Sequence, residues 1–246
     1  MLKNSEGQRI PSMVFRTRTA DGQWKDVSTS DVFAGKKVVA FALPGAFTPT
    51  CSTSHVPRYN ELVPVFQERG IDEIVCISVN DAFVMNEWSR DQSADRIRFL
   101  PDGNGDFTQG MGMLVDKRSL GFGQRSWRYS MLVKDGVVKK MFIEPNKPGD
   151  PFEVSDADTI LNYVNPQAKK PDQVAIFTRE GCGFCAKAKL LLTELGYAYA
   201  EIPLHHTTRS RIVGAVTNEK TVPQIFINGE HIGGLDALEQ LVKKAA

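Results

Sequence analysis

The sequence has few cysteines, no long apolar segment and no excess of charge of either sign. It contains four cysteines in 246 residues, namely Cys51, Cys76, Cys182 and Cys185. A secreted domain stabilised by disulfides needs more cysteines than this, so the few cysteines present favour catalytic or metal-binding roles for them. No apolar run approaches the roughly 18 residues that a membrane helix needs. The first residues, MLKNSEGQRIPS, lack the apolar core of a secretion signal. We therefore expect a cytoplasmic protein with no membrane partner.

Charge is balanced along the whole chain. The 30 basic and 29 acidic residues give a net charge of +1. The part before Pro171 holds 22 basic and 21 acidic residues, and the rest holds 8 of each. Neither part has the basic excess of a nucleic-acid-binding domain, so we expect no nucleic-acid partner. The length suits one large domain or two ordinary ones.

Strand and helix patterns alternate in the first two thirds of the chain. The segment KKVVAFAL at 36–43 is a β-branched apolar run that predicts a buried strand. Residues 52–70 have apolar positions at helical spacing and end at Gly70, while Pro57 and Pro64 indicate a kinked or delayed helix. The next predicted elements are a strand at 73–80, a helix at 82–91, a strand at 96–102, a hairpin over 127–145 and a helix over 155–164 with Ser155 as its N-cap.

A polar segment with two prolines, NPQAKKPD, interrupts this pattern. It predicts a linker over 166–172 between a domain at 1–165 and a second domain at 173–246. The second domain has a β-α-β-α-β-β-α pattern. Its predicted elements are 174–178, 184–196, 197–204, 207–216, 222–229, 230–234 and 235–245, with a hairpin turn at Asn228-Gly229.

Two cysteines of the second domain form a CGFC motif where its first strand gives way to a helix. In the first helical turn, two intervening residues let the sulfurs of Cys182 and Cys185 form a disulfide. Free N–H groups and the helix dipole stabilise the thiolate of the first cysteine, so Cys182 is the predicted nucleophile and Cys185 its partner. A zinc site would need a second ligand pair at usable spacing, and the adjacent His205 and His206 do not provide one. We therefore predict no metal site here.

The segments TREGCGFCAKAK and TVPQIFINGEHIGGLDAL resemble glutaredoxin over 173–246. The resemblance implies a cis peptide before the proline of Thr221-Val222-Pro223, at a segment that pairs with the substrate backbone. It also implies that Gly233, Gly234, Leu235 and Asp236 receive the γ-glutamyl end of glutathione, and that Arg179 faces the glycine carboxylate. A surface role for Arg179 and a plain N-cap role for Asp236 stay open as alternatives.

The stretch PGAFTPTCSTSHVP places Cys51 at another strand-to-helix junction. Its spacing resembles the peroxiredoxin motif, and the longer text is similar to the type-five subgroup, over about residues 3–165. The resemblance implies that Arg128 is the active-site arginine. A helix N-terminus and a guanidinium both favour a thiolate, which peroxide reduction requires. Thr48, the Cys51 N–H and Arg128 can hold the peroxide, and Pro44 can shield the sulfur from water.

Three other features have simpler explanations. His55 follows Cys51 by about one turn, but we expect a packing or surface role rather than a Cys–His dyad. Cys76 lies in an apolar strand and is predicted to be an inert core residue rather than a resolving thiol. The segment DGNGD at 102–106 lacks the later ligands of a calcium loop, so a turn is the better explanation.

Together the two resemblances imply a peroxiredoxin–glutaredoxin fusion. The expected fold class is α/β, with two thioredoxin-like domains whose mixed central sheets are flanked by helices. Cys51 would reduce hydrogen peroxide or small alkyl hydroperoxides, and Cys182 with glutathione as co-substrate would restore it. No bound cofactor is expected. Glutathione reductase and NADPH would supply electrons indirectly, and the resemblance suggests a homo-oligomer. The linker spans at most roughly 28 Å, and whether Cys182 serves its own chain or a neighbour is open.

Three alternative functions also stay open at this point. The CGFC module could act as a general disulfide or deglutathionylation reductase, with the first domain presenting substrates. The chain could be a redox sensor or chaperone-like oligomer that responds to oxidation of Cys51. The two CGFC thiols could also carry an iron–sulfur cluster.

Overall fold

A computed structural model of the chain describes residues 2–19 and 21–245. Its contacts divide the chain into two compact units, the first ending at Lys169 and the second starting at Lys170. The division falls inside the segment 166–172 that the sequence predicts as a linker. The exact domain boundaries stay a prediction.

The first unit alternates strands and helices, as its sequence predicts. Its strands are β1 Val14–Arg18, β2 Trp24–Ser28, β3 Lys37–Leu43, β4 Glu73–Ser78, β5 Arg98–Pro101, β6 Leu114–Asp116, β7 Gln124–Ser126, β8 Tyr129–Lys134 and β9 Val137–Ile143. Its α-helices are α1 Thr29–Phe33, α2 Val56–Gln67, α3 Ala82–Asp91, α4 Asp106–Gly110 and α5 Ala157–Val164.

A mixed sheet forms the centre of the first unit, with the strand order β5-β4-β3-β8-β9 among the described residues. Strands β3, β4 and β5 are parallel, whereas β8 is antiparallel to β3 and β9. Alternate residues of β3 enter two separate cores: Phe41 packs with α2 and Val38 with residues of the opposite face. A strand that is buried on both faces needs a continuous apolar sequence, which explains the run at 36–43.

Before residue 36, where the sequence predicts no element, the structure has the hairpin of β1 and β2 followed by α1. The hairpin packs on the unit mainly through Phe15 and Val27, which face each other across the two strands. Because the other positions of the hairpin are polar or exposed, the period-two pattern is too weak to read in the sequence.

The N-cap of helix α5 lies one residue later than predicted, so the assignment of Ser155 as its N-cap is wrong. Asp156 is the N-cap, and its carboxylate accepts the N–H of Thr159 at 2.9 Å. Ser155 is buried, and its hydroxyl donates to the carboxylate of Glu144 at 2.7 Å. The serine therefore anchors the preceding loop instead of capping the helix.

The buried carboxylate of Glu144 holds the end of the loop between β9 and α5. It accepts the backbone N–H groups of Glu153, Val154 and Ser155 at 2.8 to 2.9 Å, besides the Ser155 hydroxyl. Since a buried donor without an acceptor is costly, this one side chain fixes the end of the loop at 153–155.

The second unit has the predicted β-α-β-α-β-β-α order. Its elements are β10 Val174–Thr178, α6 Gly183–Glu194, β11 Tyr199–Pro203, α7 Arg209–Thr217, β12 Gln224–Ile227, β13 Glu230–Gly233 and α8 Leu235–Ala245. The sheet order is β11-β10-β12-β13, with β10 parallel to β11 and antiparallel to β12. The turn at Asn228-Gly229 has positive φ at both residues, as an Asn-Gly hairpin turn requires.

The expected fold class, α/β with mixed sheets flanked by helices in two successive units, is confirmed. None of the helices in the described part of the chain combines the length and apolar character that crossing a bilayer requires.

The role of Glu144 in holding the loop can be tested by denaturation. We expect Glu144→Ala to lower the free energy of unfolding of the first unit by about 2–4 kcal/mol, because two buried and two partly buried donors lose their acceptor. Glu144→Gln should cost less, since Oε1 alone accepts three of the four hydrogen bonds.

Tryptophan fluorescence in urea measures this effect, because Trp24, Trp88 and Trp127 all belong to the first unit. The exposed Glu68→Ala is the matched control and should unfold like the unmodified protein. Equal midpoints for Glu144→Ala and Glu68→Ala would show that the loop does not depend on this carboxylate.

Candidate active sites

Cys51 opens a π-helical turn, Cys51–His55, that leads from the end of β3 into α2. Pro57 has no N–H and cannot donate to the carbonyl oxygen of Thr53, as an α-helix would require. The turn closes instead with the N–H of Val56 bonded to the carbonyl oxygen of Cys51. Such turns often lie at functional sites.

The helix predicted over 52–70 is therefore shorter and begins later than expected. The regular part, α2, spans Val56–Gln67 and contains Pro64. Gly70, with φ of 71°, lies in the turn after the helix, where its N–H bonds to Gln67 O at 2.9 Å. Pro57 lies in the first turn of the delayed helix, and Pro64 is accommodated in its interior.

The structure brings Cys51 and Arg128 together. Arg128 directly precedes β8, the antiparallel neighbour of β3, and its side chain is 1% exposed. Its Nη1 lies 3.4 Å from the sulfur of the fully buried Cys51. A permanent positive charge at this distance favours a thiolate and can also stabilise negative charge that develops on an oxygen beside the sulfur.

The two other predicted residues of this site lie in the loop before Cys51. Pro44 is buried directly after β3. The Thr48 hydroxyl donates to the carbonyl oxygen of Gly45 at 2.9 Å, and the Thr48 carbonyl accepts the N–H of Ser52 at 3.0 Å. The hydroxyl proton is therefore used within the loop, while the lone pairs of Thr48 Oγ1 can still accept a hydrogen bond.

His55 is buried, as a packing role requires, but it also contacts Arg128. Arg128 Nη1 donates to His55 Nδ1 at 3.0 Å, so Nδ1 must be unprotonated. The proton is therefore on Nε2, which donates to the carbonyl oxygen of Ser155 at 3.2 Å. Burial, and then the charge of Arg128, lower the pKa of His55 to about 3. Since both nitrogens are engaged, the imidazole is not a base for Cys51.

The loop that Glu144 anchors covers the other side of the arginine. Asp150 forms an ion pair with Arg128 Nη2, and the ring of Phe152 lies 5.4 Å from the guanidinium carbon. Burial alone would lower the pKa of Arg128, but Asp150 and Cys51 together raise it. Neither Asp150 nor Phe152 could be assigned from the sequence, because both lie in a loop without periodicity.

Cys76 lies on β4 beside Phe41 of β3 and is fully buried. Burial, and then the charge of Cys51, raise the pKa of the Cys76 thiol. Because only a thiolate reacts readily, this environment fits the predicted inert core residue.

The second cysteine site lies at the start of α6. Cys182 is the N-cap residue of the helix, and its sulfur accepts the N–H of Cys185 at 3.1 Å. The two cysteines form a disulfide, with Cα atoms 5.2 Å apart. When the pair is reduced, the same N–H and the helix dipole would favour a thiolate at Cys182. Phe184, between them, is 65% exposed.

An open cleft of about 900 Å³ adjoins Cys182. The peptide bond between Val222 and Pro223 is cis, as the glutaredoxin resemblance implies. The residues predicted to bind glutathione all line this cleft, namely Arg179, Thr221, Val222, Pro223, Gly234, Leu235 and Asp236. The structure thus brings together residues that are up to 57 positions apart in the sequence.

Several cleft residues were not identified from the sequence. Arg209 and Lys220 add positive charge to the lining. Gln224 is buried, accepts a hydrogen bond from His231 Nε2 at 2.7 Å and donates to the carbonyl oxygen of Thr221 at 2.7 Å. The available sequence signal for Lys220 was its position directly before the Thr-Val-Pro segment.

Comparison with known proteins agrees with this division into two sulfur sites. The Redoxin family model matches residues 5–161, and the Glutaredoxin family model matches residues 174–232. The hybrid peroxiredoxin hyPrx5 of Haemophilus influenzae is 59% identical over 97% of this chain and 99% of its own length. Peroxiredoxin sll1621 of Synechocystis is 57% identical over 64% of this chain and 89% of its own.

Solved structures match the first part of the chain. Reduced Prx3 of Vibrio vulnificus in complex with H2O2 has a TM-score of 0.62 and 42% identity, covering 66% of this chain and 99% of its own. The 1-Cys peroxiredoxin antioxidant protein of Plasmodium falciparum has a TM-score of 0.62 and 33% identity, with the same coverage. The redoxin match, the glutaredoxin match and the full-length relative together show that this chain belongs to the peroxiredoxin family, as a hybrid in which a glutaredoxin domain follows the peroxiredoxin domain.

Proposed function

We propose that the protein is a glutathione-dependent peroxidase that reduces hydrogen peroxide and small alkyl hydroperoxides and serves antioxidant defence and redox homeostasis. The peroxiredoxin family accounts for the peroxidase and oxidoreductase activity. The observation that carries the proposal is the 3.4 Å contact between Arg128 Nη1 and the Cys51 sulfur. The cleft beside Cys182 supports glutathione as the reductant.

In the first step, the Cys51 thiolate attacks one oxygen of the hydroperoxide. The S–O bond forms while the O–O bond breaks, and two electrons pass from sulfur to the peroxide. The second oxygen takes up a proton and leaves as water or an alcohol, so Cys51 becomes a sulfenic acid. Arg128 stabilises the charge that develops on the leaving oxygen.

The sulfenic acid is then reduced through the second site. In one route, glutathione condenses with it, releases water and forms a mixed disulfide, and the Cys182 thiolate attacks the glutathione sulfur and frees Cys51. In the other route, the Cys182 thiolate attacks the sulfur of the Cys51 sulfenic acid, releases water and forms a disulfide between the two cysteines. Glutathione then attacks Cys182 in this disulfide, which frees Cys51. Either route leaves glutathione bound to Cys182, and a second glutathione frees Cys182 and leaves as glutathione disulfide. The fusion raises the effective concentration of Cys182 near Cys51.

The chemistry of the cleft lining supports the proposal that glutathione binds here. Arg179 and Lys220 supply positive charge for the glycine carboxylate, and the start of α8 supplies N–H groups for the γ-glutamyl carboxylate. Asp236, in the first turn of α8, faces the ammonium group. The same site supports glutaredoxin-type thiol–disulfide exchange. The cytoplasmic location and the homo-oligomer stay predictions from the sequence.

The assignment of the peroxide-reactive thiol is tested by replacing each buried cysteine of the first unit. We expect Cys51→Ser to reduce peroxide consumption to the uncatalysed rate, because a hydroxyl is not ionised at neutral pH. Cys76→Ala should keep most of the activity. NADPH oxidation, with glutathione and glutathione reductase present, measures turnover. A Cys51→Ser protein that still consumes peroxide would rule out Cys51.

The role of the guanidinium is tested with a matched pair of arginines. Arg128→Met should lower the rate constant for reaction with peroxide by roughly 10²–10³-fold, as for removal of one transition-state donor. Arg125→Met is the control, since Arg125 lies three positions earlier and bonds to the carbonyl oxygen of Val79. Stopped-flow fluorescence of the reduced protein measures both. If both substitutions lower the rate constant equally, the loss is not specific to Arg128, and the proposed role of its guanidinium is contradicted.

The route of reduction is tested at the second site. Cys182→Ser should allow one equivalent of peroxide to oxidise Cys51 and then stop, because the reductant cannot be regenerated. Cys185→Ser should keep cycling if glutathione itself resolves Cys182. Mass spectrometry after one equivalent of peroxide identifies the joined sulfurs. Sustained turnover in Cys182→Ser would show that free glutathione is sufficient.

A further inference from the structure

We infer that His55 is a positioning residue: its neutral imidazole accepts one N–H of Arg128 Nη1 and thereby directs the other N–H of that nitrogen at the Cys51 sulfur. The inference deepens the proposed function and rests on Cys51 being the peroxide-reactive thiol. It assigns no proton transfer to the histidine.

The geometry of the guanidinium group carries the argument. Nη1 has two hydrogens at a fixed angle in the guanidinium plane. One acceptor, His55 Nδ1, lies at 3.0 Å and the other, the Cys51 sulfur, at 3.4 Å. Because the two N–H directions are rigidly linked, an acceptor that fixes one of them fixes the other. A donor rotated away from the sulfur would give less help to the reaction.

His55 is held in the one protonation state that can accept this hydrogen bond. Arg128 is always charged and must donate, so Nδ1 is bare and Nε2 carries the proton. The Nε2 proton is bound to the carbonyl oxygen of Ser155. The imidazole ring is fully buried, and the rings of Phe41 and Phe152 lie 4.9 Å from it. Ring rotation and protonation are both unfavourable in this environment.

The remaining partner of the guanidinium is a weaker constraint. Asp150 pairs with Nη2, but its side chain is 40% exposed and lies on a loop. The hydrogen bond to a fully buried ring on the π-helical turn is the more rigid of the two. His55 also lies four positions after Cys51, so one short segment carries both acceptors of Nη1.

Two substitutions separate positioning from simple anchoring. Asn can present an acceptor near the place of Nδ1 while losing the bond to Ser155, whereas Gln can reach Ser155 while losing the acceptor for Arg128. We expect His55→Asn to keep the rate constant for peroxide within about threefold, and His55→Gln to lower it about tenfold, which equals about 1.4 kcal/mol. The rate is measured in a single turnover of the reduced full-length protein with hydrogen peroxide.

Tyr59→Phe is the matched control. The Tyr59 hydroxyl donates to the same carbonyl oxygen of Ser155 at 3.0 Å, and the ring is buried beside His55. Removing this hydroxyl disturbs the same anchor and should leave the peroxide rate within about threefold, as anchoring to Ser155 does not set the reaction rate. Circular dichroism establishes that each variant is folded. The inference is overturned if His55→Gln reacts as fast as His55→Asn, or if Tyr59→Phe loses as much as His55→Gln.

A measurement on the unmodified protein covers the case in which the variants fail to fold. The ¹⁵N chemical shifts of the His55 ring should show a proton on Nε2 and a bare, hydrogen-bonded Nδ1 throughout pH 5–8. A proton on Nδ1 would overturn the inference. Failure of the proposed function would be recognised separately from failure of this inference, because the Cys51→Ser protein would then still react with peroxide.

Discussion

A guanidinium group that is almost completely buried is the constraint on which the first unit depends. Moving such a charge out of water costs several kcal/mol unless acceptors surround it. Arg128 has a sulfur, an imidazole nitrogen and a carboxylate within contact, and an aromatic ring beside it. The contacts that offset the cost of burying this charge also hold the guanidinium beside the Cys51 sulfur. Stability and chemistry therefore depend on the same few contacts.

These contacts form a continuous network that ends at a backbone carbonyl. Glu144 holds Ser155 through its N–H and hydroxyl, and the carbonyl oxygen of Ser155 receives the protons of His55 and Tyr59. His55 in turn accepts from Arg128. The loop after β9 and the turn after β3 are thus connected although 100 positions separate His55 from Ser155.

The sequence was sufficient where a local pattern has one physical cause. The apolar run at 36–43 and the CGFC motif predicted β3 and the start of α6, and family resemblance supplied Arg128 and the residues of the Cys182 cleft. The sequence was insufficient where the residues in contact are far apart along the chain. Ser155 looked like an N-cap because serine is common there, but Glu144 takes its hydroxyl. Nothing in the sequence around His55 could show that its partner lies 73 positions away.

The two sulfur sites stabilise a thiolate with different hydrogen-bond donors. Both cysteines lie where a strand passes into a helix, and both thiolates need stabilising. Cys182 uses a backbone N–H of its own helix, so it can lie at the edge of an open cleft. Cys51 uses the side chain of Arg128, which directly precedes another strand, and its sulfur is fully buried. The Cys51 sulfur therefore depends on a contact between residues far apart in the chain, whereas the Cys182 sulfur depends on its own helical turn.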